Sequence, residues 1–78
     1  PYMVVDAACA SSLQAMSVGL RALTQGRIDM ALVGGCSYCK SDSLVLFSAA
    51  QSMSAVGSCP FSAQADGLIS SEGYVVLA

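Results

Sequence analysis

The 78-residue chain contains no histidine, and only three basic residues stand against five acidic ones. With a net charge of −2 and a pI near 4.4, it lacks the clustered positive charge whose counterion release drives nucleic-acid binding. A nucleic-acid role is excluded on that ground. No apolar run approaches the roughly 20 residues that a membrane-spanning helix needs; the best stretch, Ile28 to Cys36, is broken by Asp29 and by Gly34-Gly35. No secretory leader or lipidation pattern is visible. The lack of histidine removes the commonest general base from these residues, but not from a larger protein that contains them.

Apolar residues are present in excess. The chain is 55% hydrophobic and 10% charged, with a mean hydropathy of +0.67, more apolar than a free-standing soluble domain of this length usually is. A domain this small buries only about 60% of its unfolded surface, so the surplus Ala, Val, Leu and Met is expected to be covered by something else. The chain opens on Pro1-Tyr2-Met3-Val4-Val5 and closes on Tyr74-Val75-Val76-Leu77-Ala78, strand-like runs without polar tails. This predicts one partial domain, 1-78, cut at both ends from the interior of a larger protein.

The apolar pattern changes period along the chain. Tyr2 to Val5 is a short continuous run that suits a strand buried on both faces. From Leu13 the spacing turns helical, with Leu13, Met16, Leu20 and Leu23 on one stripe, expected to face the core. The helix is predicted over about 10–25 and stopped by Gly26. Ile28 to Val33 reads as a second buried strand, ending where Gly34-Gly35 let the backbone turn or another group come close. Strand, helix and strand with short links predict a right-handed βαβ unit with parallel strands, so the fold class is α/β. A shorter helix is predicted over about 44–52, capped by Ser41-Asp42-Ser43, with Leu44, Phe47 and Gln51 on one side. Residues 53–71 show no period and read as a loop, and Tyr74 to Ala78 as a last strand.

Four cysteines, Cys9, Cys36, Cys39 and Cys59, allow three disulfide pairings. Stapled domains compensate for poor cores, and this chain is rich in core residues, so thiols are expected. Cys36-Ser37-Tyr38-Cys39 is a C-x-x-C, but a zinc site usually needs four ligands, and the remaining cysteine that could complete the set, Cys9, sits elsewhere. Packing is the simpler role for Cys36, Cys39 and Cys59, with no metal and no cofactor expected.

Cys9 occupies a more informative address, between the end of the first apolar run and the first turn of the long helix. The free N–H groups and positive pole of a helix N-terminus stabilise an anion, and thiolates in such places have pKa values lowered from about 8.5 to about 3.5–7.5. Small neighbours, Ala7, Ala8, Ala10, Ser11 and Ser12, permit a sharp turn and leave room for a substrate. Two roles fit this address: an activated nucleophile, or a small buried hydrophobe.

Val5-Asp6-Ala7-Ala8-Cys9-Ala10-Ser11-Ser12-Leu13, then Asp29-Met30-Ala31-Leu32-Val33-Gly34-Gly35, then Cys59-Pro60-Phe61-Ser62-Ala63-Gln64-Ala65-Asp66-Gly67 and Ser71-Glu72-Gly73 together resemble the β-ketoacyl synthase (ketosynthase) domain of polyketide synthases and polyunsaturated fatty acid synthases. The resemblance is collinear over essentially the whole chain. It implies a thiolase-like αβαβα fold, of which residues 1–78 would be part of the N-terminal half. It implies that Cys9 is the catalytic nucleophile, taking an acyl chain from the phosphopantetheine thioester of an acyl carrier protein and presenting it to a carbanion made by decarboxylating a malonyl-type thioester. The Cys9 N–H would help hold the thioester oxyanion. The two histidines and the lysine used for decarboxylation would lie beyond Ala78, so the isolated chain is expected to be inactive.

The resemblance further implies a cytoplasmic, homodimeric parent that uses no cofactor. Asp6, Asp66-Gly67 and Glu72 are expected to be structural, Glu72 as a hydrogen-bonding carboxylate near the active site, and Asp66-Gly67 as a turn. The family's Pro-Phe-Asp stands here as Pro60-Phe61-Ser62, its Arg-Gly-Glu-Gly as Ser70-Ser71-Glu72-Gly73, and a later glycine as Val75. These departures bear on the subfamily rather than on the nucleophile. The competing readings are a non-catalytic chain-length-factor-type subunit, which would lack the cysteine, and a thiolase, which Ala8-Cys9-Ala10-Ser11-Ser12 fits less well.

Overall fold

The long helix of the chain is packed on a strand through its smallest residues. In the computed structural model, which describes residues 1–78, α1 spans Ser11–Thr24 and follows a single 3-10 turn over Ala8–Ala10. Its less exposed positions are Ser11, Ala15, Gly19 and Ala22, spaced four, four and three apart as one helical face requires. A Cβ built on Gly19 would lie 2.9 Å from Val33 Cγ2, and one on Gly35 would lie 2.5 Å from Ser12 Oγ. Helix and strand are therefore closer than ordinary side chains allow.

The expected core stripe points the other way. Leu13 and Leu20 are 69% and 60% exposed, and Met16 and Leu23 are exposed as well. Period alone identifies two stripes on such a helix, and the small one won because only it fits against a strand carrying Gly34-Gly35. No hydrophobic residue of the chain is buried, and Phe47 is only half-buried.

The strands also differ from expectation. β1 is Val33–Ser37, not Ile28 to Val33, and β2 is Gly73–Leu77; the two form one two-stranded sheet. The glycine pair thus lies inside the strand rather than at its end, where it provides the close approach to Ser12. Tyr2 to Val5 forms no strand: its backbone has no ladder partner within the chain, and Tyr2 is 97% exposed. The expected βαβ unit is accordingly not formed by these residues, because its first strand is unpaired. What stands is an arrangement of helices and a small sheet. No helix is long and apolar enough to cross a membrane.

The chain divides into two compact units, residues 1–36 with 73–78, and residues 37–72. In the second unit, α2 spans Ser41–Ala49, three residues earlier at each end than expected. Ser41-Asp42-Ser43 form its first turn instead of its cap; Lys40 is the N-cap and makes no side-chain cap bond. Beyond α2, Met53 and Leu68 form an isolated parallel bridge, with the Ser54 N–H donating to the Leu68 carbonyl (2.9 Å) and the Leu68 N–H to the Ser52 carbonyl (2.8 Å). Ser54 is buried, and its Oγ accepts from the N–H groups of Val56 and Gly57. Asp66-Gly67 is not a turn; turns lie at 60–61 and 63–64. Gly67 is where two backbones meet, since a Cβ there would fall 2.6 Å from both Met53 C and Ser54 N.

Both helices end in the same way. At α1, the Gly26 N–H bonds the Leu23 carbonyl and the Arg27 N–H bonds the Ala22 carbonyl, with Gly26 at φ +66, a Schellman motif. At α2, the Gln51 N–H bonds Ser48 and the Ser52 N–H bonds Phe47, with Gln51 at φ +55. The expected stop at Gly26 is borne out, whereas the second stop has no glycine to announce it.

Three stability effects follow for the intact protein, each measurable by thermal or denaturant unfolding. Gly26→Ala puts a Cβ into the left-handed region and should cost about 1 kcal/mol. Gln51→Gly removes that penalty and should stabilise by about 0.5 kcal/mol. Gly67→Ala forces two backbone segments apart and should cost about 3 kcal/mol.

Candidate functional site

Cys9 is the central residue of the 3-10 turn Ala8–Ala10, two positions before the first residue of α1. Its side chain is exposed and its thiol is free. The chain reaches this point through a kink: Ala8 has φ +50, a left-handed conformation that costs a non-glycine residue about 1–2 kcal/mol. Such a conformation persists only where its surroundings over-determine it.

Those surroundings are three side-chain bonds. Asp6 Oδ1 accepts the Ala8 N–H at 3.0 Å. Ser11 Oγ accepts the Ala7 N–H at 2.9 Å and donates to the Ala8 carbonyl at 2.7 Å. The Ala10 N–H bonds the Ala7 carbonyl at 3.0 Å, and the Ser11 N–H also points to the Ala8 carbonyl. The corner's bonds pass around Cys9 and leave its own N–H without an acceptor in the chain. The N-cap of α1 is Ala10, which offers no side-chain oxygen, so no side chain blocks the first N–H groups of the helix.

Asp6, expected as a structural residue beside the corner, holds the Ala8 amide. From the sequence, Ser11 and Ser12 are expected only to be small. Ser11 instead braces the kink, and Ser12 fills the space over Gly35. A serine at the first helical position behind an alanine N-cap is the signal for this: its hydroxyl has no capping duty of its own.

Glu72, expected as a structural carboxylate, accepts the Cys39 N–H at 3.1 Å, and Cys39 Sγ lies 3.6 Å from Ser70 Oγ. These bonds join residues more than thirty positions apart and close the two ends of the 37–72 unit. Lys40 Nζ sits 5.1 Å from the centre of the Tyr38 ring, and its hydrogen bond to Tyr38 raises its pKa above the ordinary lysine value. Cys36 and Cys39 are exposed and Cys59 is half-covered; all are free thiols. A shallow, open depression of about 270 Å³ lies over Gly34, Gly35 and Cys36 of β1 and Tyr74, Val75 and Val76 of β2. Cys9 does not line it.

Comparison with known proteins places this sequence in a family. The model of the β-ketoacyl synthase N-terminal domain matches residues 1–78. The chain is 44% identical over 81 residues to a phenolphthiocerol/phthiocerol polyketide synthase component of Mycobacterium tuberculosis, covering 99% of this chain and 5% of that protein. It is 43% identical over 79 residues to a pikromycin polyketide synthase component of Streptomyces venezuelae, and 38% identical over 79 residues to an erythronolide synthase of Saccharopolyspora erythraea, covering 99% of this chain and 2% of each relative. The chain thus spans only 2–5% of the length of these relatives. No solved structure matches it significantly. A chain matched by this model from its first residue to its last belongs to the β-ketoacyl synthase N-terminal domain family.

Proposed function

We propose that residues 1–78 are the acyl-accepting part of a β-ketoacyl synthase of polyketide biosynthesis, with Cys9 as its nucleophile. The observation that carries this reading is the position of Cys9: an exposed thiol in the turn that opens into α1, with its own N–H unengaged. Relatives named as polyketide synthases, rather than fatty acid synthases, favour the polyketide pathway. A non-catalytic protein of the chain-length-factor type would lack the cysteine that this chain retains.

The chemistry runs in two transfers. The Cys9 thiolate adds to the carbonyl carbon of an acyl thioester carried on phosphopantetheine, giving a tetrahedral oxyanion within reach of the Cys9 N–H and the positive pole of α1. Collapse breaks the carrier's C–S bond; the acyl group stays on Cys9 and the carrier leaves as a thiolate that takes up a proton. A malonyl-type thioester then loses carbon dioxide, and the resulting enolate carbon attacks the acyl-Cys9 carbonyl. A carbon–carbon bond forms and Cys9 departs as thiolate, ready for another acyl group.

Decarboxylation draws on groups outside these residues, since the chain holds no histidine. The chain alone is accordingly a piece of the thiolase-like αβαβα domain, inactive by itself, and the complete domain works as a homodimer with an acyl carrier protein as partner. The exposed apolar stripe of α1 supports this, because 78 residues do not cover it.

Cys9, Cys36 and Cys39 are all exposed within these residues, so what sets Cys9 apart is its place in the turn that opens into α1. In the full-length synthase, iodoacetamide should alkylate Cys9 at least about tenfold faster than Cys36, Cys39 or Cys59, as followed by peptide mass spectrometry. Equal rates at all four would contradict the reading. Cys9→Ala should reduce condensation by about a thousandfold or more while leaving malonyl-thioester decarboxylation measurable.

A further inference from the structure

We propose that Ser11 is a positioning residue for Cys9, holding the strained corner through both functions of one hydroxyl. The inference rests on the reading of Cys9 as nucleophile and adds to it the group that aims the thiol.

The geometry is specific to this side chain. Ser11 Oγ takes the Ala7 N–H and gives its proton to the Ala8 carbonyl, so it ties the Asp6–Ala7 peptide unit to the Ala8–Cys9 unit across the residue at φ +50. A serine at the start of a helix ordinarily turns its oxygen towards the helix's own N–H groups. Ser11 sits one residue too late for that and reaches backwards. One consequence is that the peptide leading into Cys9 cannot relax to a right-handed conformation without breaking both bonds. Another is that the bonds of the corner leave the Cys9 N–H without an acceptor in the chain, free to meet a negative charge developing beside Cys9.

Ser12 provides the internal comparison. It is the adjacent residue, of the same type and in the same helical turn, but its hydroxyl packs over Gly35 and makes no bond to the corner. A role that belongs to Ser11 should not be shared by Ser12.

The test uses the full-length synthase with Ser11→Ala, Ser11→Thr and Ser12→Ala. Two quantities are read: the iodoacetamide rate at Cys9 relative to Cys36, Cys39 and Cys59 in the same sample, and kcat and KM for acyl transfer from an N-acetylcysteamine thioester. Ser11→Ala should slow Cys9 alkylation by about tenfold, the rate equivalent of one or two net hydrogen bonds. The other three thiols should keep their rates, and kcat should fall with KM unchanged. Ser11→Thr restores the hydroxyl and should return the Cys9 rate to within about threefold, and Ser12→Ala should match the parent. If Ser11→Ala does not yield folded protein, Ser11→Cys, a weaker donor of similar size, carries the same expectation. The proposal is overturned if the hydroxyl-deficient variant alkylates Cys9 at the parental rate, if Ser12→Ala slows it equally, or if Thr fails to rescue. A failure of the underlying reading looks different: Cys9→Ala would then retain acyl transfer whatever the Ser11 variants do.

Discussion

The arrangement depends on how closely α1 approaches β1. Gly19 under Val33 and Ser12 over Gly35 leave no room for larger side chains at either contact, so the helix is seated by shape at two points along its length. The seat near Ser12 lies one turn from Cys9, and the helix carries the thiol with it. Dispersion contacts between atoms this close are individually small, but they fix position sharply because repulsion rises steeply on the inner side. The close approach rests on the missing side chain of Gly35, twenty-six positions further along the chain than Cys9.

The same constraint explains why so much apolar surface faces outwards. A helix that spends its small face on the strand turns Leu13, Met16, Leu20 and Leu23 away from it. Burial at about 25 cal/mol per Å² is the main driving force for folding, and within these residues that force is largely uncollected. Hydrogen bonds hold these residues at several points: the paired Schellman stops, the Met53–Leu68 bridge, the buried Ser54 hydroxyl and the Glu72 bond to Cys39.

The parts of the fold governed by local rules are legible in the sequence. The extent of α1 follows from period and from Gly26, β2 from its apolar run, and the Cys9 corner from the change of period around residue 10. What fails is decided by partners. Tyr2 to Val5 has the composition of a strand but no neighbour to pair with. Gly34-Gly35 reads as a strand end because glycine usually interrupts strands, yet here it sits within β1 to admit Ser12. The inward face of α1 differs from the apolar stripe because hydrophobicity marks what gains from burial, while a close contact is granted to whatever fits. Gln51 in the left-handed region has no glycine to signal it. At the candidate site, the address of Cys9 follows from the change of period, whereas the Ser11 bridge depends on how the backbone folds, since a serine two residues after a cysteine has many possible partners.

Everything at the corner turns on where the acyl group goes. The most direct measurement is to incubate the full-length synthase with a carrier-bound acyl thioester in the absence of any malonyl substrate, digest it, and locate the added acyl mass by tandem mass spectrometry. The predicted result is a thioester-linked acyl group on Cys9, released by hydroxylamine and missing from Cys9→Ala. An acyl group found on another residue, or retained in full by Cys9→Ala, would contradict it.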